Sequence, residues 1–308
     1  MTSAICTFFG GHYHYGLGAL TNSLYAHGYR GIIFAGYDGP LPPWAHNLET
    51  KDGCSDFKVA DGLTIRFIEL PAIVNHVYYK PDFMLTVLRE LCPEVQALFF
   101  FDPDIIIKCR WAFFEEWVEG GVAVCQDVNG SMPDKHPIRN AWRRLLQPHG
   151  LEFRNCFGDY FNAGFIGVSV RDVSFLTVWQ RVQTLVQECG WTSHFDLQGE
   201  RLPFTCRDQD ALNIACMATE CPVSPVGQDG MDLQPGGGGY VMSHAVGVSK
   251  PWRKKMLVNT LLKASKPSSA DKNFYSYVRH PIRVFSTARF LLKRIDLLLA
   301  SAIGRYIG

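Results

Sequence analysis

Gln96-Ala97-Leu98-Phe99-Phe100-Phe101-Asp102-Pro103-Asp104-Ile105-Ile106-Ile107 carries more information than any other stretch of this chain. Five apolar residues follow Gln96, then acids stand at i and i+2, then three isoleucines. A continuous apolar run of this length fits a strand covered on both faces, as in a parallel sheet flanked by helices. If that strand continued, both carboxylates would leave it on one face, and burying two like charges there is costly. A divalent cation shared with a diphosphate offsets the cost, because Mg²⁺ and Mn²⁺ bind through a few carboxylates plus phosphate oxygens. The same residues also fit a plain strand end, with Asp102 in an Asp-Pro turn and Asp104 as a helix cap.

The flanking sequence supports a layered α/β fold. Ala4-Ile5-Cys6-Thr7-Phe8-Phe9 reads as a buried strand ending in Gly10-Gly11, and residues 18–27 have helical spacing. Gly31-Ile32-Ile33-Phe34-Ala35-Gly36-Tyr37 reads as a second strand, closed by Asp38-Gly39-Pro40. Residues 63–70 alternate as a third, and Pro81 opens a helix through Leu91. Strand and helix patterns alternating in this way predict a mainly parallel, doubly wound sheet. A compact domain is expected over residues 1–255. A polar linker at residues 263–272 and basic C-terminal helices are expected in the remainder, 256–308.

Composition narrows the function classes. Hydrophobic residues make up 47% and charged residues 19%, which excludes disordered and fibrous chains. A net charge of +1 argues against a nucleic-acid partner. The sum conceals a segregation: residues 1–249 hold 17 basic and 27 acidic side chains, whereas residues 250–308 hold 13 basic and 2 acidic. An acidic body with a basic arm suggests an anionic partner for the arm. The ten cysteines show no zinc-ligand spacing, and several lie in apolar runs. They read as reduced core residues of a cytoplasmic protein, with no signal peptide expected ahead of the first strand.

Three further segments carry chemistry. In Tyr160-Phe161-Asn162-Ala163-Gly164-Phe165 the amide fits a sugar hydroxyl and the glycine permits close approach of a ligand; a turn into a core strand fits equally. Arg207-Asp208-Gln209-Asp210-Ala211-Leu212-Asn213 reads as a helix start, although capping does not explain the Asp-Gln-Asp order. In Ser243-His244-Ala245-Val246-Gly247-Val248-Ser249-Lys250-Pro251-Trp252, the imidazole suits a divalent metal and the lysine suits a phosphate leaving group.

Taken in order, these four segments resemble the motifs of the retaining GT-A-fold glycosyltransferases of the family that includes glycogenin and the lipopolysaccharide glucosyl- and galactosyltransferases (glycosyltransferase family 8-like). The resemblance spans residues 5–252. It implies a Rossmann-like nucleotide-diphospho-sugar transferase fold and transfer of a hexose from a UDP-sugar to an acceptor hydroxyl. It also implies Mn²⁺ or Mg²⁺ held by Asp102, Asp104 and His244. Donor contacts would come from Thr7, Phe8, Tyr15, Lys80, Asp102, Asn162, Ala163, Gly164, Gly247 and Lys250. Asp208, Gln209 and Lys250 would serve the reaction, with front-face attack preferred to double displacement through Asp208. The segment Phe8-Phe9-Gly10-Gly11-His12-Tyr13-His14-Tyr15-Gly16 departs from the family's base-contacting pattern. Two other readings are a nucleotidyltransferase and a sugar-nucleotide-binding protein without turnover. The first would be expected to carry a basic glycine-rich loop after the first strand, and residues 10–18 contain no Lys or Arg.

The tail, residues 279–307, reads as one or two helices beginning beside Pro281. On a wheel of roughly 100° per residue, Arg283, Arg289, Lys293, Arg294 and Arg305 share one sector. Phe285, Leu291, Leu292, Ile295, Leu298, Leu299, Ala302 and Ile303 share the opposite one. Such a helix either docks on the body or lies in an anionic headgroup layer. The second alternative would place the protein on the inner face of the cell membrane, beside a glycan or lipid-linked acceptor.

Overall fold

The computed structural model describes residues 1–46, 48–51, 53–71, 78–188, 207–233 and 238–307. In chain order the strands are β1 (Ser3–Gly10), β2 (Gly31–Asp38), β3 (Glu49–Lys51), β4 (Cys54–Ala60), β5 (Leu63–Glu69), β6 (Ala97–Phe101), β7 (Ile105–Ile107), β8 (Val122–Ser131), β9 (Asp159–Ser169), β10 (Val223–Val226), β11 (Met231–Asp232) and β12 (Met242–His244). The helices are α1 (His14–Ala26), α2 (Lys80–Thr86), α3 (Trp111–Trp117), α4 (Pro137–Leu146), α5 (Ser174–Glu188), α6 (Arg207–Ala218), α7 (Met256–Lys263), α8 (Ser269–Ser276) and α9 (Thr287–Ile307). Two compact units result. One comprises Met1–Cys6, Ala72–Phe100 and Phe114–Gln228; the other comprises Thr7–Pro71, Phe101–Phe113 and Asp229–Gly308.

In the first unit the strand order is β10-β8-β9-β6-β1, with β1 supplying its opening residues. β6 runs parallel to β1, and β10 parallel to β8. All five residues of β6 are buried, as its apolar run predicts. Phe99 meets Phe114 edge-on with centroids 6.2 Å apart, and Phe165 stacks on Trp117 at 5.0 Å. β8 and β9 pair antiparallel, a departure from a purely parallel sheet that no local pattern in either strand reveals.

The second unit holds the rest of β1 and the order β2-β5-β4-β3, together with a small separate sheet, β11-β12-β7. β2 and β5 are parallel, while β4 pairs antiparallel with both β5 and β3. Phe9, Tyr37 and Phe67 form a mutual cluster, with Phe9 stacked on Tyr37 at 5.6 Å and edge-on to Phe67 at 5.9 Å. Fold class is therefore as expected: α/β, with a mainly parallel Rossmann-like sheet flanked by helices and a C-terminal helix. The helix expected at Gly18 begins earlier, at His14, and the one expected from Pro81 gives way to a π-turn at Val87–Leu91.

Helix α9 starts at Thr287, later than Pro281 suggests. Part of the backbone ahead of it is satisfied by a side chain instead of by helical bonds. Asn22 accepts from the Ile282 amide at 2.7 Å and donates to the Tyr277 and Ile282 carbonyls. Its burial makes those bonds worth keeping. Ser268 and Asp271 form a reciprocal capping box that opens α8. The Asp296 carboxylate in α9 accepts from the Met256 and Leu257 amides, both at 2.9 Å, and so caps α7. The eight described cysteines are free thiols; Cys189 and Cys206 lie outside the described residues. Among the described residues, no helix is long and apolar enough to cross a membrane.

Candidate metal centre and a braced acidic helix

In the second unit, Asp102 and Asp104 sit in the turn joining β6 to β7, not on a continuing strand. The Ile105 amide donates to the Asp102 carbonyl at 3.1 Å, closing that turn. β12 then pairs antiparallel with β7, setting His244 opposite Ile105. Sheet register thus delivers the imidazole to the acids from a distance of 140 residues along the chain. His244 Nε2 lies 3.3 Å from Asp104 and 3.8 Å from Asp102. Asp104 and His244 are buried.

Lys250 completes the cluster. Its ammonium donates to Asp104 and, at 2.9 Å, to the Ala245 carbonyl. Burial alone would raise the Asp104 pKa, but the charges and hydrogen bonds of His244 and Lys250 outweigh it and hold the group at about 2. These partners favour the ionised carboxylate. Gly247 adopts φ +90° in the loop between His244 and Lys250, a left-handed turn that glycine makes without strain. Gly16 in α1 has a different reason to be glycine: a Cβ there would lie 2.4 Å from the Pro103 carbonyl oxygen. The Asp-Pro-Asp turn is packed directly on that helix.

Ligating atoms of Asp102, Asp104 and His244 all lie within 4.8 Å of one another. Two hard carboxylate oxygens and an imidazole nitrogen make a donor set that fits a divalent cation such as Mg²⁺ or Mn²⁺. His244 directs Nε2 at the acids, while its buried Nδ1 has no hydrogen-bond partner among the described residues.

The other expected donor residues of this unit are dispersed in their contacts. Thr7 is fully buried in β1, with its hydroxyl unpartnered among the described residues. Phe8 packs where Gly36 leaves room. Tyr15 is engaged by the tail: its ring stacks on Phe285 at 5.0 Å and its hydroxyl accepts from Arg289 at 2.5 Å.

The first unit brings together Lys80, Asn162, Ala163, Gly164, Asp208 and Gln209. Lys80, buried at the start of α2, donates to the Ala163 carbonyl at 2.9 Å and to Asp208 at 3.0 Å. Gln209 accepts from the Ala163 amide at 3.1 Å. Asn162 accepts from the Gly164 amide at 2.8 Å and donates to Asp127 at 2.7 Å. Tyr160 donates to Asp210 at 2.6 Å, and Asn213 bonds both backbone groups of Phe161 at 2.8 and 2.9 Å. The Asp-Gln-Asp order that capping left unexplained is the pattern of a helix laced to strand β9. Asp127, buried at the end of an apolar stretch of β8, is the residue sequence reasoning passed over. An acid two residues beyond the run Val122-Ala123-Val124-Cys125 was the available signal.

Fold and cluster together define an α/β protein of Rossmann-like, GT-A-type architecture with an Asp-x-Asp–His centre able to hold a divalent metal. No protein-family model matches the chain, and no curated protein matches it. A solved structure that does match is the WbbM bifunctional glycosyltransferase in its apo form, with a TM-score of 0.56 and 13% sequence identity. The match covers 96% of this chain and 52% of that one, so this chain spans about half the length of that protein. At such identity the likeness establishes the fold.

Proposed function

We propose that the chain is a metal-dependent glycosyltransferase that moves a hexose from a UDP-sugar to an acceptor hydroxyl with retention at the anomeric carbon. The observation that carries the reading is the convergence of Asp102, Asp104, His244 and Lys250 on a GT-A-type fold. Asp102, Asp104 and His244 would hold Mn²⁺ or Mg²⁺, which supplies charge neutralisation to a bound diphosphate. Lys250 adds a fixed positive group for the departing UDP. The acceptor oxygen bonds to the anomeric carbon as the bond from that carbon to the β-phosphate oxygen breaks. The acceptor's proton passes to the leaving phosphate on the same face. Asp208 and Gln209 are assigned to the transferred sugar, and Asn162, Ala163, Gly164 and Lys80 to orienting the donor. Thr7, Phe8, Tyr15 and Gly247 are assigned to the nucleotide. The resemblance to surface-glycan enzymes supports a glycan or lipid-linked acceptor.

A panel of UDP-sugars incubated with Mn²⁺ tests this. Slow release of UDP from one donor, with the freed sugar first appearing in the donor's anomeric configuration, is the expected result. Formation of UTP and the sugar 1-phosphate when pyrophosphate is added would mark a nucleotidyltransferase instead. Tight binding without release of either product would mark a binding protein.

A further inference from the structure

Helix α9 is docked the wrong way round for a soluble helix. The side it turns to the second unit carries Phe290, Lys293, Leu297, Ala300 and Gly304, so it includes part of the basic sector. Lys293 donates to the Lys254 carbonyl at 2.7 Å, and the Arg289 guanidinium lies over the Tyr15 ring at 4.8 Å. Leu291, Leu292, Ile295, Leu298 and Leu299 point outward, with Leu292 70% and Leu298 58% exposed. At 3.6 residues per turn they fill an arc of about 120°. Helix α7, packed on α9, likewise leaves Leu261 and Leu262 exposed. An apolar stripe of this kind marks an interaction surface.

Charge identifies the occupant. The segment from Lys250 onward holds 13 basic and 2 acidic residues. Both acids are spent internally, Asp271 on Lys254 and the α8 cap, Asp296 on the α7 cap. The exposed face of this segment therefore carries cations and no described carboxylate outside those contacts. At one edge of the leucine stripe lies a cavity of about 400 Å³ lined by Lys272, Arg279, Arg294, Phe290, Leu297 and Leu298. Three cations over an apolar floor suit a lipid phosphate with its acyl chain alongside.

We propose that the outward leucine face of α9, with the basic cavity at its edge, seats this protein on a membrane containing anionic lipid. Apolar side chains would enter the headgroup–acyl boundary while the arginines and lysines meet lipid phosphates. The proposal stands apart from the sugar-transfer reading and neither depends on the other. Its test is co-sedimentation of the full chain with phosphatidylcholine vesicles, with and without phosphatidylglycerol. The parent should sediment with the anionic vesicles and lose much of that binding in high salt. The double variant Leu292→Glu/Leu298→Glu should bind at least about tenfold more weakly, with an unchanged circular dichroism spectrum and unchanged Mn²⁺ affinity. Arg279→Gln/Arg294→Gln should lose the preference for anionic lipid while retaining weak binding to neutral vesicles. Equal sedimentation of parent and leucine variant would overturn the proposal. A parent that ignores vesicles but forms a dimer dispersed by the leucine variant would also overturn it, making the stripe an interface between copies.

Discussion

Two Asp-x-Asp sequences occur at chemistry-bearing positions of this chain, and they do opposite things. Asp102 and Asp104 sit in a turn, where backbone reversal swings both carboxylates toward His244. Asp208 and Asp210 sit in the first turn of α6, where two residues' separation is about 200° of rotation. They accordingly diverge, Asp208 to Lys80 and Asp210 to Tyr160. The same spacing makes a candidate metal centre on a turn and a brace on a helix. Spacing alone is therefore not a functional signal; the element beneath it decides.

The largest effect that sharpens this contrast is on turnover. Asp104→Ala should reduce Mn²⁺-dependent UDP release by on the order of a thousandfold, judging by what removing a developing-charge stabiliser costs. The variant's UDP affinity should no longer respond to Mn²⁺, as read by calorimetry. Full metal-dependent turnover in it would break the contrast at its first term.

Asp210→Ala should act on stability instead. It removes the carboxylate that accepts from Tyr160 in a buried site and should cost about 1–3 kcal/mol, measured by denaturant unfolding. Tyr160→Phe in the same chain should recover part of the loss, because the donor to that carboxylate is then gone as well. A coupling energy near zero in that double-mutant cycle would remove the brace reading.

Between these in kind, Gly16→Ala tests how firmly the Asp-Pro-Asp turn is held. The added methyl meets a backbone carbonyl and the Trp252 ring, neither of which can simply rotate away. Overpacking of this sort costs about 1–3 kcal/mol, offset by up to about 1 kcal/mol of helix propensity. A weaker Mn²⁺ affinity should accompany the stability loss, since the displaced turn carries two of the three proposed ligands.

The smallest expected effect belongs to Asp296→Ala. Two amides at the start of α7 lose their acceptor, a capping loss of about 1 kcal/mol, visible as a modest fall in Tm with catalysis unchanged.

Much of the fold could be read from periodicity because buried parallel strands leave an unmistakable record. Ala97–Phe101 is apolar throughout and is buried throughout. The convergence of Asp102, Asp104 and His244 into a group that could hold a divalent metal was legible as well, because an imidazole and paired acids suit that chemistry. What escaped was whatever depends on pairing between distant segments. The antiparallel step between β8 and β9, and the bond from Asn162 to Asp127, leave no mark in either segment alone. Likewise Asp210 and Asn213 are distinguishable from catalytic residues only once Tyr160 and Phe161 are beside them. For α9 the wheel included Arg283 and Phe285, which precede the helix start at Thr287, and gave no hint of which sector would face the protein. Phe290, Leu297 and Ala300 fall among the basic residues on that wheel, and they provide the grip.

The cap that Asp296 places on α7 has a practical corollary for anyone producing this protein. Removing the C-terminal helix to improve handling would delete the acceptor for two α7 amides. It would also delete the Arg289 contact to Tyr15 and, in a cut before residue 285, the Phe285 ring stacked on Tyr15 and Tyr275. A shortened chain should express as a frayed, aggregation-prone product, whereas polar replacement of the outward leucines keeps every one of those contacts. Surface redesign, not truncation, is the route to a well-behaved sample.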